Sequence, residues 1–181
     1  MARLHVPTRL RWADLDGYGH VNNADMLRLL EEARIEAFWT DGAALGDAEA
    51  SVTGGDTRPD AVRLGDIRLA GASTAVLDAS PGADTLSLIA RQEVEYLLPI
   101  PYMRQPLDIQ LWIAQIGGAS FEICYEVRSP LGQEPALLYT KAATTLVLVD
   151  RETMRPRRIR DYERAAWEPY LDEPIRFSKR R

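Results

Sequence analysis

The chain has 181 residues, of which 46% are hydrophobic, enough for one domain with a real core. Its formal net charge of -5 is spread unevenly: acidic side chains outnumber basic ones over residues 1–150 and the reverse holds over 151–181, so the bulk of the domain repels nucleic acid. No apolar run approaches the ~20 residues of a membrane span, and the N-terminus lacks the basic and apolar regions of a signal peptide, so a cytoplasmic protein with no membrane partner is expected.

From the N-terminus, Leu4, Val6, Leu10 and Trp12 alternate as in a strand. The run Arg11-Trp12-Ala13-Asp14-Leu15-Asp16-Gly17-Tyr18-Gly19-His20-Val21-Asn22-Asn23 then packs two carboxylates, a histidine and two glycines into one turn. A helix is predicted from Ala24 to about Trp39, with Asn22 and Asn23 as capping residues, Asp25 in its first turn and Gly42 beyond its end. Met26, Leu30, Ala33 and Ala37 form its apolar stripe, widened by Leu29 and Phe38, while Arg28, Glu32 and Glu36 face away.

The first N–H groups of a helix have no intrahelical partner, and with the helix dipole they favour negative charge in front of them. A thioester or ester oxygen developing charge there would be stabilised, by roughly 3 to 4 kcal/mol per donor in an oxyanion hole. Asp16, with Asp14 as its rival, would face the carbon bonded to that oxygen.

Residues 41–84 are rich in Gly, Ala, Asp and Ser, with a more apolar patch from Val62 to Leu77, and a structureless loop of this length is uncommon in a compact domain. An additional strand or short helix, a lid or an insertion are the readings it allows. Four strands follow, Leu86–Leu98, Leu107–Ile116, Ser120–Arg128 and Leu137–Val149. Leu107, Ile109, Leu111 and Ile113 share one face, as do Phe121, Ile123, Tyr125 and Val127. Gly117-Gly118 fits a two-residue primed hairpin turn, and Pro130 to Pro135 supplies the next reversal. The single cysteine, Cys124, reads as a strand residue with Glu122 and Glu126 on its face, not a reactive thiol. Beyond a Pro156 turn, a short helix from near Asp161 carries Trp167, which with Pro169 and Tyr170 is expected on the outside of the domain or against a partner subunit. The basic end, including Arg155, Arg157, Arg158, Arg160 and Lys179-Arg180-Arg181, is either a solvated surface or an attraction for an anionic ligand. His5 and His20 are the only histidines and no metal-ligand spacing occurs, so neither a metal nor another cofactor is expected.

The Asp14–Asn23 run resembles the D-x-D-x-x-x-H-V-N-N motif of the hotdog-fold thioesterases, both the 4-hydroxybenzoyl-CoA thioesterase-like group and the fatty acyl-ACP thioesterases. Gln92-Glu93-Val94-Glu95-Tyr96-Leu97-Leu98-Pro99 also looks like the family's strand leading into a proline-bearing turn. The resemblance implies an α+β hotdog fold, an antiparallel sheet wrapped around one long central helix. One such domain would span residues 1–160, with an insertion at about 43–84 and a C-terminal helix and basic tail at 161–181. In the CoA-dependent group the second aspartate is the catalytic carboxylate, which selects Asp16, and a backbone N–H near Asn23 polarises the thioester. In the acyl-ACP group an Asp, an Asn and a His are implicated; Asp16 and His20 match, and Tyr18 stands in place of the Asn.

The expected activity is hydrolysis of an acyl-CoA thioester to free acid and CoA, with Asp16 as general base or nucleophile. His20 either holds the turn or assists proton transfer and substrate positioning; Tyr18, Asn22 and Asn23 are expected at the substrate, the asparagines through capping. Alternatives are an acyl-ACP thioesterase and a non-catalytic acyl-CoA-binding hotdog protein. The resemblance also implies a homodimer or homotetramer with sites between subunits.

Overall fold

The structure, a computed structural model, describes residues 2–40, 68–69 and 73–178. In chain order it contains β1 (Leu4–Thr8), a 3-10 turn (Trp12–Asp14), α1 (Asn23–Phe38), β2 (Trp39–Thr40), β3 (Arg68–Leu69), β4 (Leu77–Asp78), β5 (Thr85–Tyr96), β6 (Leu107–Ile116), β7 (Ser120–Arg128), β8 (Leu138–Asp150), α2 (Asp161–Trp167) and a final 3-10 turn (Glu168–Tyr170). Six strands form one sheet in the order β3-β1-β6-β7-β8-β5. Every pairing in it is antiparallel except β1 with β3, which corrects the purely antiparallel expectation. A short parallel pair, β2 with β4, lies apart from it.

The alternation in β6 and β7 does what its period dictates: Leu107, Ile109, Leu111 and Ile113, with Phe121, Ile123, Tyr125 and Val127, are all buried on one face. α1 packs on that face through Met26, Leu29, Leu30, Ala33, Ala37 and Phe38, which fall at i, i+3, i+4, i+7, i+11 and i+12 as a helix stripe requires. Burying each large apolar side chain is worth about 1.5 to 3 kcal/mol, so this interface carries much of the fold. α1 has 16 residues and approaches β1, β2 and β6 most closely. It is a helix of moderate length, and in this respect the expectation of a long central helix is corrected. The stripe also buries a charge: Arg34 is 3% exposed, its guanidinium donating to the Tyr125 hydroxyl at 3.3 Å and to Glu31 at 3.4 Å.

Other departures have local causes. The first strand ends at Thr8 rather than running through Trp12, because the Asp14 carboxylate takes the Arg11 N–H and pulls the chain into the 3-10 turn, leaving Trp12 exposed against Tyr102. Residues 117–119 connect β6 to β7, and neither glycine has the positive φ of a primed turn. Gly117 instead allows a close approach, its N–H donating to Ser120 O at 2.7 Å where an added Cβ would stand 3.2 Å from that oxygen. Gly132, at φ +82°, does require its freedom and closes the β7–β8 reversal. The helix stop at Gly42 and most of the 43–84 insertion lie outside the described residues, as does the Lys179–Arg181 end. What is described of the insertion includes β3 and β4, the additional strand being one of the readings above.

Trp167 is the largest correction. It is fully buried, stacked on Phe121 at 4.5 Å and edge-on to Phe38 at 6.2 Å, with its indole N–H donating to Thr74 O. Tyr170 is buried with it. The preceding arginines are engaged internally: Arg157 forks onto the buried Glu163 carboxylate, Arg160 reaches Asp84, and Arg164 donates to Gly117 O.

The opposite face of the sheet is polar and covered by the C-terminal segment. Asp172 N–H donates to Ile113 O on β6, Ile175 N–H to Cys124 Sγ on β7, Lys141 Nζ on β8 to Arg176 O, and Ser178 N–H to Glu95 on β5. The tail thus straps four strands in succession. Cys124 beneath it is buried, and desolvation pushes its thiol up to about 11.

Candidate active site

The site grows from the loop between the first 3-10 turn and α1. Asp14 is fully buried, its carboxylate accepting from Arg11 N–H at 2.6 Å, Nε at 3.1 Å and Nη2 at 2.8 Å, while its carbonyl accepts from Asn22 N–H at 2.9 Å. Burial works to raise its pKa, but the hydrogen bonds and charge of Arg11 outweigh it and hold the carboxyl below the usual carboxylate range. Both ends of the loop are therefore fixed to one residue, and a bridge between Leu15 and Val21 ties them again.

Within that frame Asp16 N–H donates to His20 O at 2.8 Å and Gly19 N–H to Asp16 O at 3.1 Å. Gly19, at φ +78°, closes this turn where a side chain would strain the backbone. Asp16 Oδ1 accepts from Tyr18 N–H at 2.8 Å and His20 N–H at 3.2 Å, the pattern of a turn aspartate. No hydrogen bond to Oδ2 is present among the described residues, so one carboxylate oxygen is an anchor and the other remains available as a base. His20 bridges to Pro101, and Val21 N–H donates to Ile100 O, docking the loop on the segment after β5.

Asn22 caps α1, its Oδ1 accepting from Ala24 N–H at 2.8 Å. Asn23 is the first helical residue, and no acceptor for its N–H is present among the described residues. Its carbonyl accepts from the Tyr96 hydroxyl at 3.1 Å, which fixes the helix start against the end of β5.

Asp16, His20 and Asn23 line one cleft of about 300 Å³, with Tyr96, Leu97, Leu98 and Pro99 along one side and Val21, Met26, Ile100 and Thr140 as its buried floor. Asn22 serves this cleft only through the cap. Tyr18 is 88% exposed and does not line it. A larger recess of about 400 Å³ between β1 and α1, bordered by Arg9, Arg11, Glu32 and Glu36, contains none of these residues. Sequence reasoning missed Thr140 at the cleft; the available signal was a polar residue at an inward position of β8, whose neighbours Ala142, Leu146 and Leu148 belong to the core.

The arrangement combines an oriented carboxylate, an unpaired N–H at a helix start and an apolar floor, a layout suited to attack on a carbonyl group. A family model, the thioesterase-like superfamily, matches residues 10–173. The chain belongs to that superfamily, a class of thioester hydrolases, and its fold is the hotdog fold. Among solved structures it is similar to a predicted thioesterase from Bacillus stearothermophilus (22% identity over 96% of this chain and 100% of that one, TM-score 0.63). It is also similar to the PA5185 protein of Pseudomonas aeruginosa (19%, 94% and 92%, 0.60) and to a 1,4-dihydroxy-2-naphthoyl-CoA thioesterase from Synechocystis (18%, 96% and 100%, 0.59). No curated protein matches the sequence.

Proposed function

We propose that the protein is an acyl-CoA thioesterase that hydrolyses its substrate in the cleft between Asp16 and the start of α1. The observation that carries this is the pairing, in one cleft, of a carboxylate held by one oxygen with an unpaired helix-start N–H. The thioester oxygen lies at the Asn23 N–H, where the helix end favours developing charge. Asp16 acts as general base for water or as nucleophile through an anhydride; His20 borders the reacting groups, and the apolar floor receives the acyl chain. A CoA carrier agrees with the neighbour that acts on a naphthoyl-CoA ester.

The test is free-thiol release from short, medium, long-chain and aromatic acyl-CoA esters. Asp16→Asn keeps an oxygen to accept from Tyr18 and His20 N–H, so it preserves the turn; kcat is expected to fall about 10²- to 10⁴-fold with unchanged unfolding temperature. Near-normal turnover by this variant would sink the mechanism in both forms. Labelled solvent oxygen entering the Asp16 carboxylate in a single turnover separates nucleophile from base.

We further propose a homo-oligomer. β5 is the terminal strand of the sheet, 12 residues long, with Leu88, Ile89, Tyr96, Leu97 and Leu98 exposed along and just beyond it. Long apolar edges invite pairing with another chain. Sedimentation at micromolar concentration should return a dimer or larger species, and a monomer counts against this arrangement.

A further inference from the structure

Thr140 is 1% exposed, and its hydroxyl has no hydrogen-bond partner among the described residues. Two other buried hydroxyls are satisfied, Thr74 Oγ1 donating to Ala37 O at 2.6 Å and Ser129 Oγ accepting from Leu137 N–H at 2.9 Å. Thr144 Oγ1 on the same strand also lacks a partner among the described residues, but Thr144 does not line the cleft, and Thr140 does. Leaving such a group unpaired is unfavourable, and a valine of nearly the same shape would remove the penalty. Thr140 lines the cleft that holds Asp16, His20 and Asn23, where the other buried residues, Val21, Met26 and Ile100, are apolar. In the sheet Thr140 stands opposite Tyr96, whose own hydroxyl reaches Asn23 O, so it lies beneath the start of α1.

We propose that Thr140 is a positioning residue for hydrolysis and that its hydroxyl holds the attacking water. The inference rests on the thioesterase reading, in its general-base form. A water molecule has two hydrogens, and Asp16 Oδ2 accepts only one. Thr140 Oγ1 accepts the other, which leaves a water lone pair directed at the thioester carbon. The water oxygen bonds to that carbon as one proton passes to Asp16. The C–S bond then breaks, and the departing thiolate takes the proton from Asp16, leaving acid and thiol.

The experiment uses the full chain and the acyl-CoA panel with two variants. Thr140→Val is expected to lower kcat by about a hundredfold while leaving KM in place, and to leave the unfolding temperature unchanged or higher. Thr140→Ser, which keeps the hydroxyl, restores kcat to within about threefold. With hydroxylamine present, the ratio of hydroxamate to free acid rises in Thr140→Val, because a stronger nucleophile depends less on being held. Wild-type kcat in Thr140→Val, or activity lost together with stability and not recovered by Thr140→Ser, overturns the assignment. If the wild type hydrolyses esters in an Asp16-dependent way, that result overturns the Thr140 role alone. Absence of turnover by the wild type on every ester overturns the thioesterase reading and the assignment with it.

Discussion

Asp14 and Asp16 stand two residues apart in one short loop and are used in opposite ways. Asp14 spends both oxygens on Arg11 and is sealed from water, whereas Asp16 spends one and turns to the cleft. Spacing in the sequence left the two as rivals, since a strand running through both would point them to the same side; the resemblance to the hotdog thioesterases selected Asp16. The folded pKa of Asp14 is depressed, so its contribution to stability is present above the ordinary carboxylate range and is lost as pH falls through the lowered value. Arg11→Ala leaves the backbone N–H bond but removes the guanidinium, and the acid-unfolding midpoint, followed by circular dichroism, is expected to move to higher pH. Arg11 is largely exposed, so the shift at neutral pH is small.

At the scale of elements, α1 links stability to chemistry because its cap and its free donor are adjacent residues. Asn22→Ala removes the acceptor for Ala24 N–H, and denaturant unfolding should report a loss of about 1 kcal/mol. Because the same cap sets the direction of the Asn23 N–H, kcat is expected to fall by more than stability alone explains. This stretch was legible in the sequence because every part of it is local: Asp14, Asp16, His20, Asn22 and Asn23 all lie within ten positions of one another, and cap chemistry acts over three. β6 and β7 were legible for the same reason, their alternation being a period of two. The rest of the cleft was not. Tyr96 and Thr140 reach it through strand pairing across the sheet, and Ile100 through the Val21 N–H bond to the segment after β5; such pairing between distant segments leaves no mark at either position taken alone. The His5–Asp108 contact at 2.9 Å on the opposite face was invisible for that reason too.

At the scale of the whole molecule, the chain's last quarter closes the fold. The α2 pattern of Tyr162, Ala165, Ala166 and Trp167 showed an apolar side, but seven residues carry no information about which surface that side meets. The surface is the aromatic pair Phe38 and Phe121, so the end of α1, the start of β7 and α2 share one cluster. Trp167→Ala should lower the free energy of unfolding by about 3 to 5 kcal/mol, measured by urea titration, since it opens a cavity and removes the bond to Thr74 O. The strap formed by residues 171–178 has a different consequence. It roofs the chain's single cysteine, whose thiol is pushed up to about 11 and so holds little thiolate near neutrality. A thiol reagent therefore meets Cys124 only when the strap peels from the sheet, and at high reagent concentration the labelling rate becomes the peeling rate itself. The molecule carries its own stopwatch for the loosening of its C-terminus, readable without any engineered cysteine.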